Sequence, residues 1–376
     1  MKLSTLLKEQ PEHLMEPGDC QDTVIGVMAR LVRNLKGHRF PGWSTAESRA
    51  AVAEQLLPGL LSLPDFSKGF HAEMPELGFD DRRIMMVNSM LSPAQAARQD
   101  GCHVLVSHKR NVVAFVNEEE HLVLHMFRQG YKCPPKGDSM RTGHMLNDLQ
   151  KMRDKLDGMF DFAHNTQDGY LTSMPGESGD GIQLFVMLHL PALTFSNMMG
   201  QVTKAMEKLH VSISPFYSDG QDDTGSRYML YSLPGPEGSL GEVKGYFFEV
   251  AQRVVERELS VRLRLLEEPG MRLFDHIGRA YGLLKYARRL SIKEMRDAFS
   301  SLRLATVLGI IKWDVGPYPI IRGINRVSRL IVQEAITHHG DEQTPLFVAT
   351  ACRAFLESQP HEFLTHADIP PYPENY

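Results

Sequence analysis

The chain has no cysteine pair at redox or metal-ligand spacing, no apolar run long enough to cross a membrane, and no excess of either charge. Its four cysteines, Cys20, Cys102, Cys133 and Cys352, form no CxxC, so reduced thiols are expected rather than a disulfide framework or a metal knuckle. The longest apolar stretches, such as Leu184 to Leu190, are far shorter than the roughly 20 residues of a membrane helix. The N-terminus also lacks the sustained apolar core of a secretion signal. Forty-one Lys and Arg stand against 46 Asp and Glu, a net charge of −5, which predicts neither a nucleic-acid footprint nor a membrane-seeking surface. The expected location is the cytoplasm. Sixteen histidines are present but scattered, with His338-His339 the only adjacent pair, and no metal site is expected.

What is present divides the chain in three. At 376 residues it can bury two ordinary cores. Residues 1–20, with Pro11, Pro17 and Gly18, read as a lead-in. Residues 21–260 read as an α+β domain, an antiparallel sheet with flanking helices. Its expected strands include Arg83 to Leu91, His103 to Ser107, Asn111 to Val116, Leu122 to Phe127, Ile182 to Leu190 and Tyr228 to Leu233. Its expected helices are Ser44 to Leu57, behind a Ser-Thr cap, Gly143 to Phe160 and Leu193 to Leu209. The irregular order of strands and helices argues against repeating βαβ units. Residues 261–376 read as an all-helical domain, in which Ser291-Ile292-Lys293-Glu294 has the spacing of a capping box.

Two short blocks carry chemistry. Asn117-Glu118-Glu119-Glu120-His121-Leu122 is followed about fifty residues on by Asp168-Gly169-Tyr170-Leu171-Thr172-Ser173-Met174-Pro175. Alone, the first block reads as a solvated acidic turn between two strands. Further along stand His189-Leu190-Pro191-Ala192-Leu193, Glu268-Pro269-Gly270, Asp275-His276-Ile277-Gly278-Arg279-Ala280-Tyr281-Gly282 and Leu302-Arg303-Leu304. In order and spacing these blocks resemble the ATP:guanido phosphotransferases, most closely the bacterial protein-arginine kinases of the McsB type. The resemblance implies in-line transfer of the γ-phosphoryl of Mg-ATP to a guanidinium nitrogen, a reaction driven by positioning and charge neutralisation. It implies that Glu119 is the catalytic carboxylate and Glu118 its partner, since paired carboxylates suit the forked guanidinium. The substrate implied is the arginine side chain of a protein.

The nucleotide side departs from the family pattern. Of the Ser-x-Arg-x-Arg segment, aligned with Gly26 to Arg30, only Arg30 is retained and Met28 holds the other arginine position. Val123, Gln183 and Ser214 stand at three further arginine positions, Ser89 at that of a nucleotide-contacting histidine, and Met174 at that of a cysteine. Each hydrogen bond to a charged group contributes roughly 1.5 to 3 kcal/mol. Losing four arginines, with strong non-additivity, therefore costs on the order of 6 kcal/mol, or about 10⁴-fold in affinity or rate. The expectation is a pseudokinase that keeps the fold. Arg353 lies where McsB-type proteins recognise phosphoarginine, but Ala349 replaces the first arginine of that motif, and a plain surface helix is the alternative. Gly176 to Gly181 reads as a turn, because Glu177 and Asp180 would repel phosphate.

Three functions stay open on the sequence. One is a regulator or scaffold that pairs with itself, with an active arginine kinase or with a zinc-finger activator of the McsA kind. Another is a working kinase that uses other cations, Lys109, Arg110, Arg128 and Lys132. The third is a binder of guanidines without phosphate transfer.

Overall fold

The computed structural model describes residues 23–88, 90–98, 101–128, 143–174, 177–218, 221–222, 225–232, 240–267, 272–338 and 342–363. The lead-in 1–20, Ser89, Lys132, Pro175 and 268–270 lie outside these residues.

One eight-stranded sheet organises the molecule. Its strands are β1 (Val24–Arg33), β2 (Phe70–Glu73), β3 (His103–Val106), β4 (Val112–Val116), β5 (Leu122–Arg128), β6 (Ile182–His189), β7 (Val211–Pro215) and β8 (Arg227–Ser232). They lie in the spatial order β2-β3-β4-β5-β1-β6-β8-β7, and every neighbouring pair is antiparallel. β1 is central, with Arg30 opposite His125 of β5 on one side and Gln183 of β6 on the other.

Side chains alternate between the two faces, and both faces are apolar. The first face, with Ala29, Leu31, Leu124, Leu184 and Val186, packs on four helices: α1 (Ala46–Ser62), α3 (Gly143–Met159), α4 (Met199–Lys208) and α5 (Leu240–Glu267). Phe247, Val250, Ala251, Val254 and Val255 of α5 recur at helical spacing and are buried there. The second face, with Val32, Val104, Phe115, Val123 and Phe127, shares one apolar cluster with the C-terminal helices. Those are α6 (Arg272–Tyr286), α7 (Ile292–Val307), α8 (Pro317–His338) and α9 (Thr344–Glu357). α5 runs unbroken through residue 260.

Antiparallel sheet, flanking helices and a helical C-terminal region are thus all present. The C-terminal region adds a two-stranded ribbon, Ile311–Trp313 against His361–Phe363. One expected strand is corrected: within Arg83 to Leu91, the residues to Val87 belong to the helix α2 (Phe79–Val87). Gly78 precedes it, Asp80 and Asp81 lie in its first turn, and Ile84, Met85 and Met86 are buried. A short apolar run has no period that separates a strand from a buried helical turn, and acidic residues at the start favour the helix. Leu193 to Leu209 is likewise divided, with Pro191–Phe195 helical, a break at Asn197 (φ 55°), and then α4. Among the described residues no helix is long and apolar enough to cross a membrane.

Candidate functional site

Between β4 and β5 the chain reverses in a tight turn. Asn117 N–H donates to His121 O at 3.0 Å and Glu118 N–H to Glu120 O at 3.1 Å. Asn117 adopts φ 59°, a left-handed conformation that asparagine tolerates better than most residues. Its side-chain amide donates to Arg49 O at 2.8 Å and Gly101 O at 2.9 Å, fixing the turn to its surroundings. His121 Nδ1 accepts from Leu35 N–H at 3.0 Å, so Nε2 carries the hydrogen and donates to Arg39 O at 2.9 Å. Burial lowers the pKa of this imidazole and keeps it neutral.

The three consecutive glutamates meet three different environments. Glu120 is buried and accepts from the Asn34 side-chain amide, from Ser173 N–H at 2.8 Å and from Ser173 Oγ at 2.8 Å. It therefore fastens the turn to the Thr172–Met174 segment, whose Ser173 hydroxyl also lies 2.9 Å from Glu119 O. Glu118 is buried as well, 3.4 Å from Arg98 Nε. Burial raises the pKa of both carboxyls, outweighing the hydrogen bonds and cations that lower it. Glu119 alone reaches out, with 53% of its side chain exposed.

Arg30 occupies the space in front of Glu119. Its Nη2 lies 3.0 Å from Glu119 Oε2, while Nη1 lies 2.8 Å from Gln183 Oε1 and 3.2 Å from Glu177 Oε2. Gln183 is the cross-strand neighbour of Arg30, so the residue expected at a cation position of the family here supplies an acceptor. Glu177 arrives from the glycine-rich turn, in which Gly181 (φ 65°) lies so close to β1 that a Cβ there would stand 2.8 Å from Val32 O. On the far side of Arg30, His125 is buried and held neutral, its pKa lowered to about 3 by burial and then by the Arg30 charge.

The other residues expected at nucleotide-contacting positions are scattered. Met28 is on the same face as Arg30 and packs on the apolar cluster. Val123 is fully buried between Val32 and Phe115 of the neighbouring strands. Ser214 sits on the edge strand β7, three strands from β1. Arg353 Nη1 donates to Ala287 O at 3.1 Å, tying α9 to the end of α6, and Ala349 is fully buried. Arg110, one of the substitute cations, is buried in the turn between β3 and β4. Met174 is exposed.

Sequence reasoning missed Glu177 and Gln183 as partners of Arg30, and Arg98 as partner of Glu118. The acidic glycine-rich segment was the one visible signal for Glu177. The pairings themselves depend on strand register and turn geometry, which no short motif encodes.

The comparisons with known proteins agree with this architecture. Residues 56–232 match the family described as ATP:guanido phosphotransferase, C-terminal catalytic domain, and residues 270–316 match the protein-arginine kinase McsB C-terminal domain. The protein-arginine kinase of Syntrophomonas wolfei is 30% identical over 302 residues, covering 79% of this chain and 81% of that protein. This chain belongs to the ATP:guanido phosphotransferase family. Within the family it is similar to the protein-arginine kinases, that of Brevibacillus brevis being 28% identical over 78% of this chain and 80% of its own length. Among solved structures, a duplicated taurocyamine kinase from Schistosoma mansoni has the same fold, with a TM-score of 0.54 at 17% identity over 73% of this chain and 38% of that one.

The family name implies ATP, and the donor set can be tested against a triphosphate. Among the described residues at these positions, one guanidinium faces two carboxylates, Glu119 and Glu177, and the flanking positions are Met28 and buried Val123. A polyanion approaching Arg30 itself would meet two carboxylates to one guanidinium. The Arg30 cluster by itself does not fit the phosphates of ATP. It does fit a guanidinium, since Glu119 already holds one.

Proposed function

We propose that this chain is a pseudokinase of the protein-arginine kinase type, a cytoplasmic regulator or scaffold that retains the fold without phosphate transfer. The observation that carries the reading is the environment of Arg30. The one retained phosphate-gripping cation is bonded to the carboxylate assigned to the substrate guanidinium, and to Glu177 and Gln183 as well. Arg30 and Glu119 neutralise each other in the place where one should attract phosphate and the other arginine. The partners proposed are an active protein-arginine kinase, a McsA-type activator or a second copy of this chain.

Calorimetric titration with Mg-ATP tests the proposal, together with an assay for phosphoarginine on an arginine-containing protein. No binding below the millimolar range and no phosphoarginine are expected. Micromolar Mg-ATP affinity, or phosphoarginine that disappears with Glu119→Gln, would overturn it. A second reading is favoured by the half-exposed Glu119 itself, which holds a guanidinium at 3.0 Å: the site binds arginine side chains without modifying them. Binding of an arginine-containing peptide that strengthens in Arg30→Ala, where the internal competitor is removed, would select this reading.

A further inference from the structure

β2 is an edge strand of the sheet and pairs only with β3. In that register His71 lies opposite Leu105 and Glu73 opposite His103, which makes the two histidines diagonal neighbours. Residues two apart on a strand share a face, and diagonal neighbours of an antiparallel pair are within reach of aromatic side chains. His71 Nε2 accordingly lies 3.4 Å from His103 Nδ1, with ring centroids 5.4 Å apart and planes inclined by 33°. His71 is exposed and His103 half-buried, so both rings are reachable from solvent. The sixteen histidines are scattered along the sequence, yet strand pairing brings these two, 32 positions apart, to one place.

The separation is informative. It is long for a hydrogen bond from a ring N–H, which prefers about 2.9 to 3.0 Å. Two nitrogens bound to one tetrahedral zinc ion, each at about 2.0 to 2.1 Å, stand about 3.3 to 3.4 Å apart. A square-planar ion, with its right angle, would draw them to about 2.9 Å. The torsion that turns an imidazole about its stem is broad, so a small rotation of each ring aims both lone pairs at one ion. Burial lowers the pKa of both imidazoles against nearby carboxylates, Glu76 at His71 and both Glu73 and Glu76 at His103. That favours the neutral form, which is the one that ligates metal. The carboxylates themselves are engaged: Glu76 Oε2 accepts from Glu73 N–H at 2.9 Å, and Glu73 Oε1 accepts from Gly101 N–H at 2.7 Å. They supply negative potential rather than ligands, and among the described residues no group of three or more candidate ligands occurs.

We propose that His71 and His103 form a zinc site on the edge of the sheet, with His71 Nε2 and His103 Nδ1 as its two protein ligands and water in the remaining tetrahedral positions. Imidazole selects zinc over magnesium and calcium, which take oxygen ligands. Two imidazoles, against the three or four protein ligands of catalytic and structural sites, hold the ion reversibly. Bound zinc staples β2 to β3. Glu73 of β2 fastens Gly101, whose carbonyl accepts from the Asn117 amide at 2.9 Å, so the stapled strand is one that braces the glutamate turn. Spacing rules that expect no metal here count neighbours along the chain, and these ligands are neighbours only across strands. The inference does not rest on the pseudokinase reading, since neither histidine takes part in the Arg30 cluster.

The test titrates tag-free, full-length protein with Zn²⁺ in calorimetry and follows the melting temperature. One zinc per chain, a dissociation constant in the micromolar range and a raised melting temperature are expected, with Mg²⁺ giving none of these. His71→Gln and His103→Gln should each weaken zinc by at least about tenfold, since losing even an outer-shell partner of a metal ligand costs that much. The double variant should lose the saturable site, while His164→Gln, at an exposed histidine elsewhere, leaves it intact. A second measurement needs no substitution: diethyl pyrocarbonate labelling of the natural protein, read peptide by peptide, should show zinc protecting His71 and His103 but not His164. No saturable zinc binding, binding that survives in the double variant, Mg²⁺ binding equal to that of zinc, or labelling of both histidines unchanged by zinc would overturn the proposal. So would saturation at half an ion per chain with a doubled mass, which places the ion between two copies.

Discussion

Three consecutive glutamates meet three different environments. Glu118 and Glu120 are buried and serve the turn, whereas Glu119 projects to Arg30. Glu119→Gln should therefore change stability by less than about 1 kcal/mol, since a half-exposed ion pair contributes roughly 0.2 to 1 kcal/mol. Thermal denaturation checks this, and the same variant should bind arginine-containing peptide no better than background. Glu118 gives the pH prediction. Its folded pKa lies above the ordinary 4.5, so the folded state binds the proton more tightly and ionisation costs stability. That cost is fully present above the raised value and fades as the pH falls towards 4.5. Relative to Glu118→Gln, which does not titrate there, the natural protein should gain stability as the pH is lowered from 7 towards 5. Urea denaturation of both proteins across that range measures the difference. A gap that widens in favour of the variant would show that the Arg98 pairing, not burial, dominates.

At the scale of elements, caps and buried polar anchors hold the helices in place. Ser291 Oγ accepts from Glu294 N–H at 3.2 Å and Glu294 Oε2 accepts from Ser291 N–H at 2.9 Å, completing the capping box of α7 that the spacing predicts. Ser291→Ala should cost about 1 kcal/mol, read as a lowered melting temperature. Glu258 on α5 is fully buried, accepting from Ala192 N–H at 3.0 Å, Leu193 N–H at 3.0 Å and Arg262 Nε at 2.7 Å. Glu258→Ala should be far more damaging, about 3 to 5 kcal/mol, because it leaves a buried arginine without its carboxylate and exposes the start of the 191–195 helix. Most long helices and the strands β3 to β6 and β8 were legible from periodicity and caps, whereas β2 and the central strand β1 were not read as strands. The α2 segment was not legible, because Ile84-Met85-Met86-Val87 is too short to display a period. β7 was not read as a strand either. Its Val211 and Ile213 are buried only through pairing with β8.

For the whole molecule, the decisive feature is the apolar cluster common to the second sheet face and helices α6 to α9. The proposed division at residue 260 falls between the two matched stretches, which end at 232 and begin at 270. Polar contacts also cross it: His189 Nε2 lies 2.8 Å from Ser300 Oγ, and Gly225 N–H donates to Asp297 Oδ1 at 2.6 Å. Groups that bury one another unfold together, so a single thermal transition is expected in calorimetry, with coincident loss of sheet and helix signals. A chain truncated at 260 should be poorly soluble, since Val104, Phe115 and Phe127 would face water. Two resolved transitions, or a soluble and folded truncation, would contradict this.

The sequence by itself determined the family and the antiparallel sheet with helices, because residue identity and local periodicity are properties of the chain alone. Only the tertiary structure decided what remains for Arg30 to do. Glu119 lies 89 positions away and Glu177 lies 147 positions away, and both reach it through the register of β1 with β5 and β6 and through two turns. The same is true of His71 and His103, 32 positions apart and joined by the pairing of β2 with β3. Charges find their partners by distance in space, where the Coulomb term acts, and that distance is set by how the strands pair and which helices cover them.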